Sequence, residues 1–324
     1  MRYKEKLREG KLTSAVYAKL KKKKDSHKKR LRIKLNGSFD NRSKGSELLC
    51  VVLAGYKPFL YDVFFERLQS VLIDELDVCL VSSGLYSKEL SQKCREQQWS
   101  YLCTKQNNVS LIQNIAIHFH PNAKLIFKID EDILLTKGYF NNMLLALMHS
   151  KVGRYKAGIV APIIPVNGYG YTRILDKLHL WNEYESKFGK AYIEASKDKL
   201  NKVPIENDAR IARFFWGEGG VIPKIDVLND LFSKDDTVEY PCPIRFSIGA
   251  ILFERQLWED MGYFDVDLSD GSMGRDEVQI CTYCMRYSRP IMVSENIVVG
   301  HFSFGPQTDE MRHYFFDNQD MFRM

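Results

Sequence analysis

"LIFKIDEDILL" (Leu125–Leu135) is an apolar run that passes straight into three consecutive acidic residues. Apolar strands ordinarily end in turn chemistry, where one Asp is common. Three carboxylates at a buried strand end are costly unless something nearby offsets their charge. In extended chain Asp130 and Asp132 point the same way and Glu131 points to the opposite side. Two like charges so close raise each other's pKa unless a cation compensates, and hard carboxylate oxygens favour Mg2+ or Mn2+. Such a metal can hold the phosphates of a nucleotide and stabilise a departing diphosphate.

The sequence on either side places this strand within a larger pattern. From Glu47 onward strands alternate with helices: "ELLCVVLAGY", then the helix "PFLYDVFFERLQSVL", the strand "DVCLVSSG", the helix "SKELSQKCREQQ", the short strand "WSYLCT", the helix "VSLIQNIAIHFHP" and "AKLIFKIDED". Near-continuously apolar strands separated by helices predict a parallel sheet covered on both faces. Ligands of such sheets bind beyond the C-terminal strand ends, where Asp130 and Asp132 sit. A helix through "GYFNNMLLALM", the strand "AGIVAPIIPV", the Gly/Tyr-rich loop "NGYGYT" and a polar, helix-rich stretch to about residue 225 follow. "PIRFSIGAILFERQLWEDMGYFD" returns to strand and then helix. The loop "LSDGSMG", a helix from "RDEVQI", the strand "PIMVSENIVVGH" and a polar helical C-terminus complete the chain.

The chain has 324 residues, 45% of them hydrophobic, which is enough for one large α/β domain or two smaller ones. No run approaches the roughly 18 to 20 apolar residues that span a bilayer, and the N-terminus lacks the apolar core of a signal peptide. A cytoplasmic location is the expectation. Seven scattered cysteines fit a reducing compartment better than a disulfide framework. "CTYC" (Cys281–Cys284) has redox or half-zinc spacing, but no second pair accompanies it. It reads as buried packing in a helix whose inward positions are Val278, Ile280, Cys281 and Cys284.

The formal charge of +6 is unevenly distributed. Residues 1–46 hold 17 Lys+Arg against 4 Asp+Glu, a net of +13, while the remainder holds 30 against 37, a net of −7. The basic segment "KLKKKKDSHKKRLRIKL", with a sparse helical stripe of Leu7, Val16, Tyr17 and Leu20, is suited to an anionic membrane surface. It is equally readable as a solvated arm. Nucleic acid is not expected as a partner, because the body is acidic and no aromatic-basic recognition motif is present.

Three downstream motifs bear on the acidic strand end. In "GHFSFG", His301 lies at another strand end, where its imidazole can complete a metal's coordination. In "SMGRDEVQI", Asp276 and Glu277 start a helix, where the dipole favours carboxylates. The same place suits a general base that takes a proton from a hydroxyl. In "RFFWGEGG", Trp216 with Gly217, Glu218, Gly219 and Gly220 reads either as a sugar platform or as a packed loop anchor.

In this order, the motifs from about Glu47 to His301 resemble nucleotide-sugar glycosyltransferases of the GT-A fold, most closely the family 2 type. "VVLAGYKPFLYDVFFERLQSVL" looks like that family's opening strand and Tyr-bearing loop, and "NNVSLIQNIA" echoes its block "GGVSAARNIG". "IFKIDEDILL" echoes its Asp-x-Asp strand, while "FSIGAILFERQLWEDMGYFD" and "GRDEVQICTYC" follow its acceptor half. The resemblance implies an α/β fold of GT-A type: a Rossmann-like βαβ nucleotide-binding half on a mixed central sheet, plus an acceptor-binding half. The expected organisation is a basic segment (1–46), the nucleotide-sugar half (47–165), the acceptor and catalytic-base half (166–305) and a C-terminal helical segment (306–324). Carried over by position, Asp130, Asp132 and His301 would hold Mn2+ or Mg2+. Ala54, Tyr56, Ser83, Asn114, Asp130 and Glu131 would meet the nucleotide-sugar, Trp216, Gly217 and Glu218 the acceptor, and Asp276 or Glu277 would be the base. The implied reaction is inverting transfer from a UDP-sugar to a glycan or lipid-linked acceptor, in capsule or lipopolysaccharide synthesis at the inner membrane face.

The chain departs from the family at three places. Ser82 and Ser83 stand where an Asp usually meets uracil, Gln113 replaces an Arg, and the acidic pair reads Asp-Glu instead of Glu-Asp. Two other readings start from the same residues. A haloacid-dehalogenase-like phosphatase would use Asp130 as nucleophile, but its motif usually opens the domain and has Thr or Val where Leu134 stands. A non-catalytic nucleotide-sugar-binding protein of the same fold is the other.

Overall fold

The computed structural model describes residues 11–196, 203–234, 236, 238–267 and 274–324, with side chains from residue 16 onward. In chain order the elements begin with α1 (Lys11–Arg32), β1 (Gly37–Asp40), β2 (Leu48–Leu53), α2 (Tyr61–Val71), β3 (Leu76–Ser83), α3 (Lys88–Glu96), β4 (Ser100–Thr104), α4 (Val109–Phe119), β5 (Leu125–Asp130) and β6 (Ile133–Leu134). Next come α5 (Tyr139–Val152), β7 (Ile159–Ile163), α6 (Gly170–Leu178), α7 (Trp181–Phe188), α8 (Pro204–Asn207), α9 (Ala209–Phe215) and α10 (Ile225–Phe232). The last are β8 (Glu239–Pro241), β9 (Ala250–Glu254), α11 (Arg255–Met261), α12 (Arg275–Arg286), β10 (Ile291–Val298), β11 (Gly300–His301) and α13 (Thr308–Asp317).

Nine strands form one sheet in the order β1-β4-β3-β2-β5-β9-β7-β10-β8. β2, β3, β4 and β5 are mutually parallel, as their βαβ connections require. The sheet as a whole is mixed, because β9 runs antiparallel between β5 and β7. Core strands such as Leu49–Val52 and Cys79–Val81 are buried along their length, which is why they read as apolar runs without alternation. Side-chain caps set two helix starts on this half: Ser87 accepts from the Leu90 amide and Asn108 from the Leu111 amide.

The structure corrects three local expectations. Gly37–Asp40, inside the segment read as a basic arm, is an edge strand paired antiparallel with β4, so the domain begins before residue 47. β-Pairing there outweighs composition. Of the arm's apolar stripe, Leu7 lies outside the described residues, and Val16 and Leu20 are exposed. On α12, Ile280, Cys281 and Cys284 are buried as expected, whereas Val278 is 51% exposed on the outer face. "NGYGYT" is only partly loop, since α6 starts at Gly170. Residues 268–273 of the loop "LSDGSMG" lie outside the described residues.

A two-stranded ribbon outside the main sheet does the most to assemble the site. β11 pairs antiparallel with β6, placing Gly300 opposite Leu134 and His301 opposite Ile133. The Phe302 amide donates to the Asp132 carbonyl at 2.9 Å. Two segments about 170 residues apart in sequence are thereby held side by side.

Candidate active site

Each outer carboxylate of the acidic strand end has a lysine partner. Lys128, two residues before Asp130 and hence on the same face of β5, reaches the Asp130 carboxylate at 2.7 Å and donates to the Ile248 carbonyl at 2.8 Å. Lys57, in the loop after β2, pairs with Oδ2 of Asp132. Burial pushes Asp130 above the usual carboxylate range, with Lys128 opposing and Asp132 adding. Burial would raise Asp132 too, but Lys57 and His301 hold it well below that range. The asymmetry gives one carboxylate that stays ionised beside one whose charge depends on its surroundings.

Glu131 faces the other way and works on the backbone. Its carboxylate accepts from three successive amides, those of Gly55 (2.8 Å), Tyr56 (2.7 Å) and Lys57 (2.9 Å). Burial pushes it up to about 7, against the lowering effect of these bonds. Gly55 adopts φ +137°, which side-chain-bearing residues rarely reach, and this turns the three amides toward one acceptor. Glu131 thus supports the loop that supplies Lys57, and its oxygens are not free for a nucleotide.

His301 completes the group around Asp132. Its Nδ1 lies 2.7 Å from the Val166 carbonyl. A carbonyl can only accept, so Nδ1 carries the proton and Nε2 is left facing Oδ2 of Asp132 at 3.6 Å. Behind the imidazole, Trp216 is 3% exposed and its indole Nε1 donates to the His301 carbonyl at 3.0 Å. A side chain at Gly300 would strike the Trp216 ring at 2.3 Å, so that glycine is needed for the close packing.

The second acidic pair approaches from α12. Gln113 on α4 donates to Oδ2 of Asp276 at 2.7 Å. The Glu277 carboxylate pairs with Arg245, which also donates to the Ser196 carbonyl. Burial pushes Glu277 up to about 7, with Arg245 opposing and Asp276 adding. Lys128 acts electrostatically on Glu277, and Asp276 acts on Asp130, so the two acidic groups share one electrostatic neighbourhood. A carboxylate that titrates near neutrality beside fixed cations has the character of a general base.

Other predicted residues are placed as follows. Tyr56 is 56% exposed, with its hydroxyl on the Ser83 carbonyl, and it remains at the surface of the site loop. Ala54 is buried in that loop and donates to the Val81 carbonyl at 3.0 Å. The Ser83 hydroxyl accepts from the Asn108 amide at 2.7 Å. Two expectations are overturned by packing. Asn114 is fully buried, with its oxygen taken by Trp258 and the Phe264 amide and its nitrogen by the Phe264 carbonyl. Trp216 is a packed anchor and offers no face to a sugar. Gly217 follows it in a left-handed turn, and Glu218 is half-exposed and pairs with Arg213 at 3.1 Å.

Sequence reasoning missed Lys57, Lys128 and Arg245. Lys128 carried a signal, since its spacing from Asp130 puts both on one strand face. Lys57 and Arg245 carried none, because their partners lie 75 and 32 residues away.

Among the described residues no cluster of three or more His, Cys, Asp or Glu side chains is arranged around a metal position. Oδ2 of Asp132 and Nε2 of His301, at 3.6 Å, nevertheless fall within the span of about 4 Å that two oxygen or nitrogen ligands of one such ion can have. A diphosphate would supply further oxygens, so the residues fit a metal that arrives with its ligand.

No protein-family profile matches the chain, and no curated protein matches it in sequence. Among solved structures it is similar to a mannosyltransferase from Pyrobaculum calidifontis in complex with GDP-Man and Mn2+, at 12% identity and a TM-score of 0.46, covering 84% of this chain and 61% of that one. It is also similar to residues 1–349 of S. aureus TarS (10%, TM-score 0.43, 82% and 64%). A third is 4-diphosphocytidyl-2C-methyl-D-erythritol synthase from Anaerococcus prevotii DSM 20548 (12%, TM-score 0.42, 86% and 100%). The chain thus spans less than two thirds of the length of the first two. The fold is α/β on a mixed sheet, with a parallel βαβ half joined to a second half through the antiparallel β9. Fold similarity at these identities says nothing of the chemistry.

Proposed function

We propose that the chain is a metal-dependent, inverting glycosyltransferase that moves a sugar from a UDP-sugar to a hydroxyl of a glycan or lipid-linked acceptor. The observation that carries this reading is the proximity of two acidic groups: Lys128 bonds Asp130 and acts electrostatically on Glu277, and Asp276 acts on Asp130. A donor's diphosphate and an acceptor's hydroxyl need such groups on opposite sides of the reacting carbon.

Held by Asp132, His301 and the diphosphate, Mn2+ or Mg2+ would neutralise charge on the leaving group. Lys57 and Lys128 lie where they can add to that stabilisation. Glu277 is the base favoured by its environment, because burial leaves it near neutrality while Arg245 fixes its orientation. Asp276, tied to Gln113, holds its neighbour's field. The basic α1 is assigned to an anionic membrane surface, which would bring a lipid-linked acceptor of capsule or lipopolysaccharide synthesis within reach at the cytoplasmic face.

The test is UDP release from a panel of UDP-sugars with Mn2+, with and without EDTA, for wild type and Asp132→Ala. Metal-dependent release that the variant loses is the expected result. No release from any donor by folded protein, with or without candidate acceptors, would overturn the reading and direct the search to phosphate esters.

A further inference from the structure

Resting on the donor reading above, we propose that Lys57 is an exchangeable counter-ion that occupies Asp132 in the free protein and passes to the donor's diphosphate when a divalent metal takes its place. Lys57 would thereby make metal binding depend on the nucleotide.

The argument begins with a single oxygen. Oδ2 of Asp132 is the atom that receives the Lys57 ammonium and the atom that faces Nε2 of His301. With Asp132 as it stands, a divalent ion held by Asp132 and His301 would use the same oxygen, within a few ångströms of the ammonium. Two positive charges at that separation in a largely buried setting repel strongly, so the metal and Lys57 exclude one another on Asp132. The free protein therefore satisfies Asp132 without metal, and a metal arriving alone must displace an ion pair.

The anatomy of Lys57 suits an exchange. Its amide is fixed to Glu131 at 2.9 Å, so its Cα does not need to move. Its side chain is a flexible four-carbon stem ending in a compact charge, which reorients more readily than a guanidinium fork. A diphosphate brings several anionic oxygens to this strand end, offering the ammonium a new partner as it leaves Asp132. Lys128 is built differently. It is held by both Asp130 and the Ile248 carbonyl inside β5, and it has no such freedom.

The experiment titrates Mn2+ against the full chain and follows loss of the free-ion electron paramagnetic resonance signal, with and without UDP. Wild type is expected to bind Mn2+ weakly alone and at least tenfold more tightly with UDP. Lys57→Met, which keeps the stem without the charge, should bind Mn2+ alone at least tenfold more tightly than wild type, with a smaller gain from UDP. Lys57→Gln, which keeps a hydrogen bond to Asp132, is the second variant and should shift in the same direction, guarding against misfolding of the first. UDP affinity in metal-free buffer should fall in both variants. Wild-type Mn2+ affinity in a folded Lys57→Met or Lys57→Gln would overturn the exchange while leaving the donor reading intact. UDP binding without Mn2+ binding by any of the proteins would overturn the metal and the exchange together. Absence of UDP binding in wild type would overturn the donor reading itself.

Discussion

The two acidic groups of this protein contain the same chemistry and are built in opposite ways. At the end of β5, Asp130 and Asp132 are met by lysines, point charges on flexible stems, and one of the two carboxylates is held firmly ionised. At the start of α12, Glu277 is met by Arg245, a guanidinium also tied to the Ser196 carbonyl, and its pKa stands near 7. The first arrangement suits a charge whose partner will be replaced by a ligand. The second suits a group that keeps its place and changes its protonation. Two carboxylates of similar burial are thus set apart by the kind of counter-ion each meets.

The contrast can be broken most forcefully at Asp132. Asp132→Ala should lower turnover by roughly 10²- to 10³-fold, the scale of losing one major electrostatic group around a leaving anion. Steady-state UDP release measures it, and excess Mn2+ should not restore the rate. Glu277→Gln should cost about 10²-fold or more, and with it should go the pH dependence. In wild type, kcat/KM should rise with pH and level off above about 7, because the base acts only when deprotonated and each unit below that value protonates more of it. Arg245→Met sharpens the comparison further. The guanidinium lowers the Glu277 pKa, so its removal should move that limb to higher pH, read from the same profile.

Smaller effects are expected from the supporting residues. Glu131→Gln replaces an acceptor of three amides with a group that accepts through one oxygen only. It should cost about 1–3 kcal/mol in urea unfolding and weaken donor binding through the loop that supplies Lys57. Trp216→Phe removes the hydrogen bond to the His301 carbonyl and should cost about 1 kcal/mol by the same measurement, with little change in acceptor KM. A large KM effect would return Trp216 to the acceptor site.

The parallel half was legible because its signals are local. Apolar runs of strand length, separated by amphipathic helices, place β2 to β5 and their helices without knowledge of anything distant. The Asp-x-Asp spacing is equally local, although β5 ends at Asp130 and Asp132 lies in the turn before β6. The second half was harder. Exposure of a tryptophan depends on what packs against it, and the sequence "RFFWGEGG" does not announce the Phe322 ring 4.3 Å from Trp216 or the glycine beneath it. Asn114 failed for the same reason, its polar atoms being used by Trp258 and Phe264, about 150 residues away.

The sequence by itself determined the periodicities: which stretches are strands and which are helices. Those properties follow from backbone geometry over a few residues. Tertiary structure decided the counter-ions. Antiparallel β9 brings Ile248 and Gly249 beside Asp130, the pairing of β11 with β6 brings His301 to Asp132, and the loop held by Glu131 brings Lys57. The charge of a carboxylate depends on solvent and ions within a few ångströms, and those neighbours are set by pairings between distant segments.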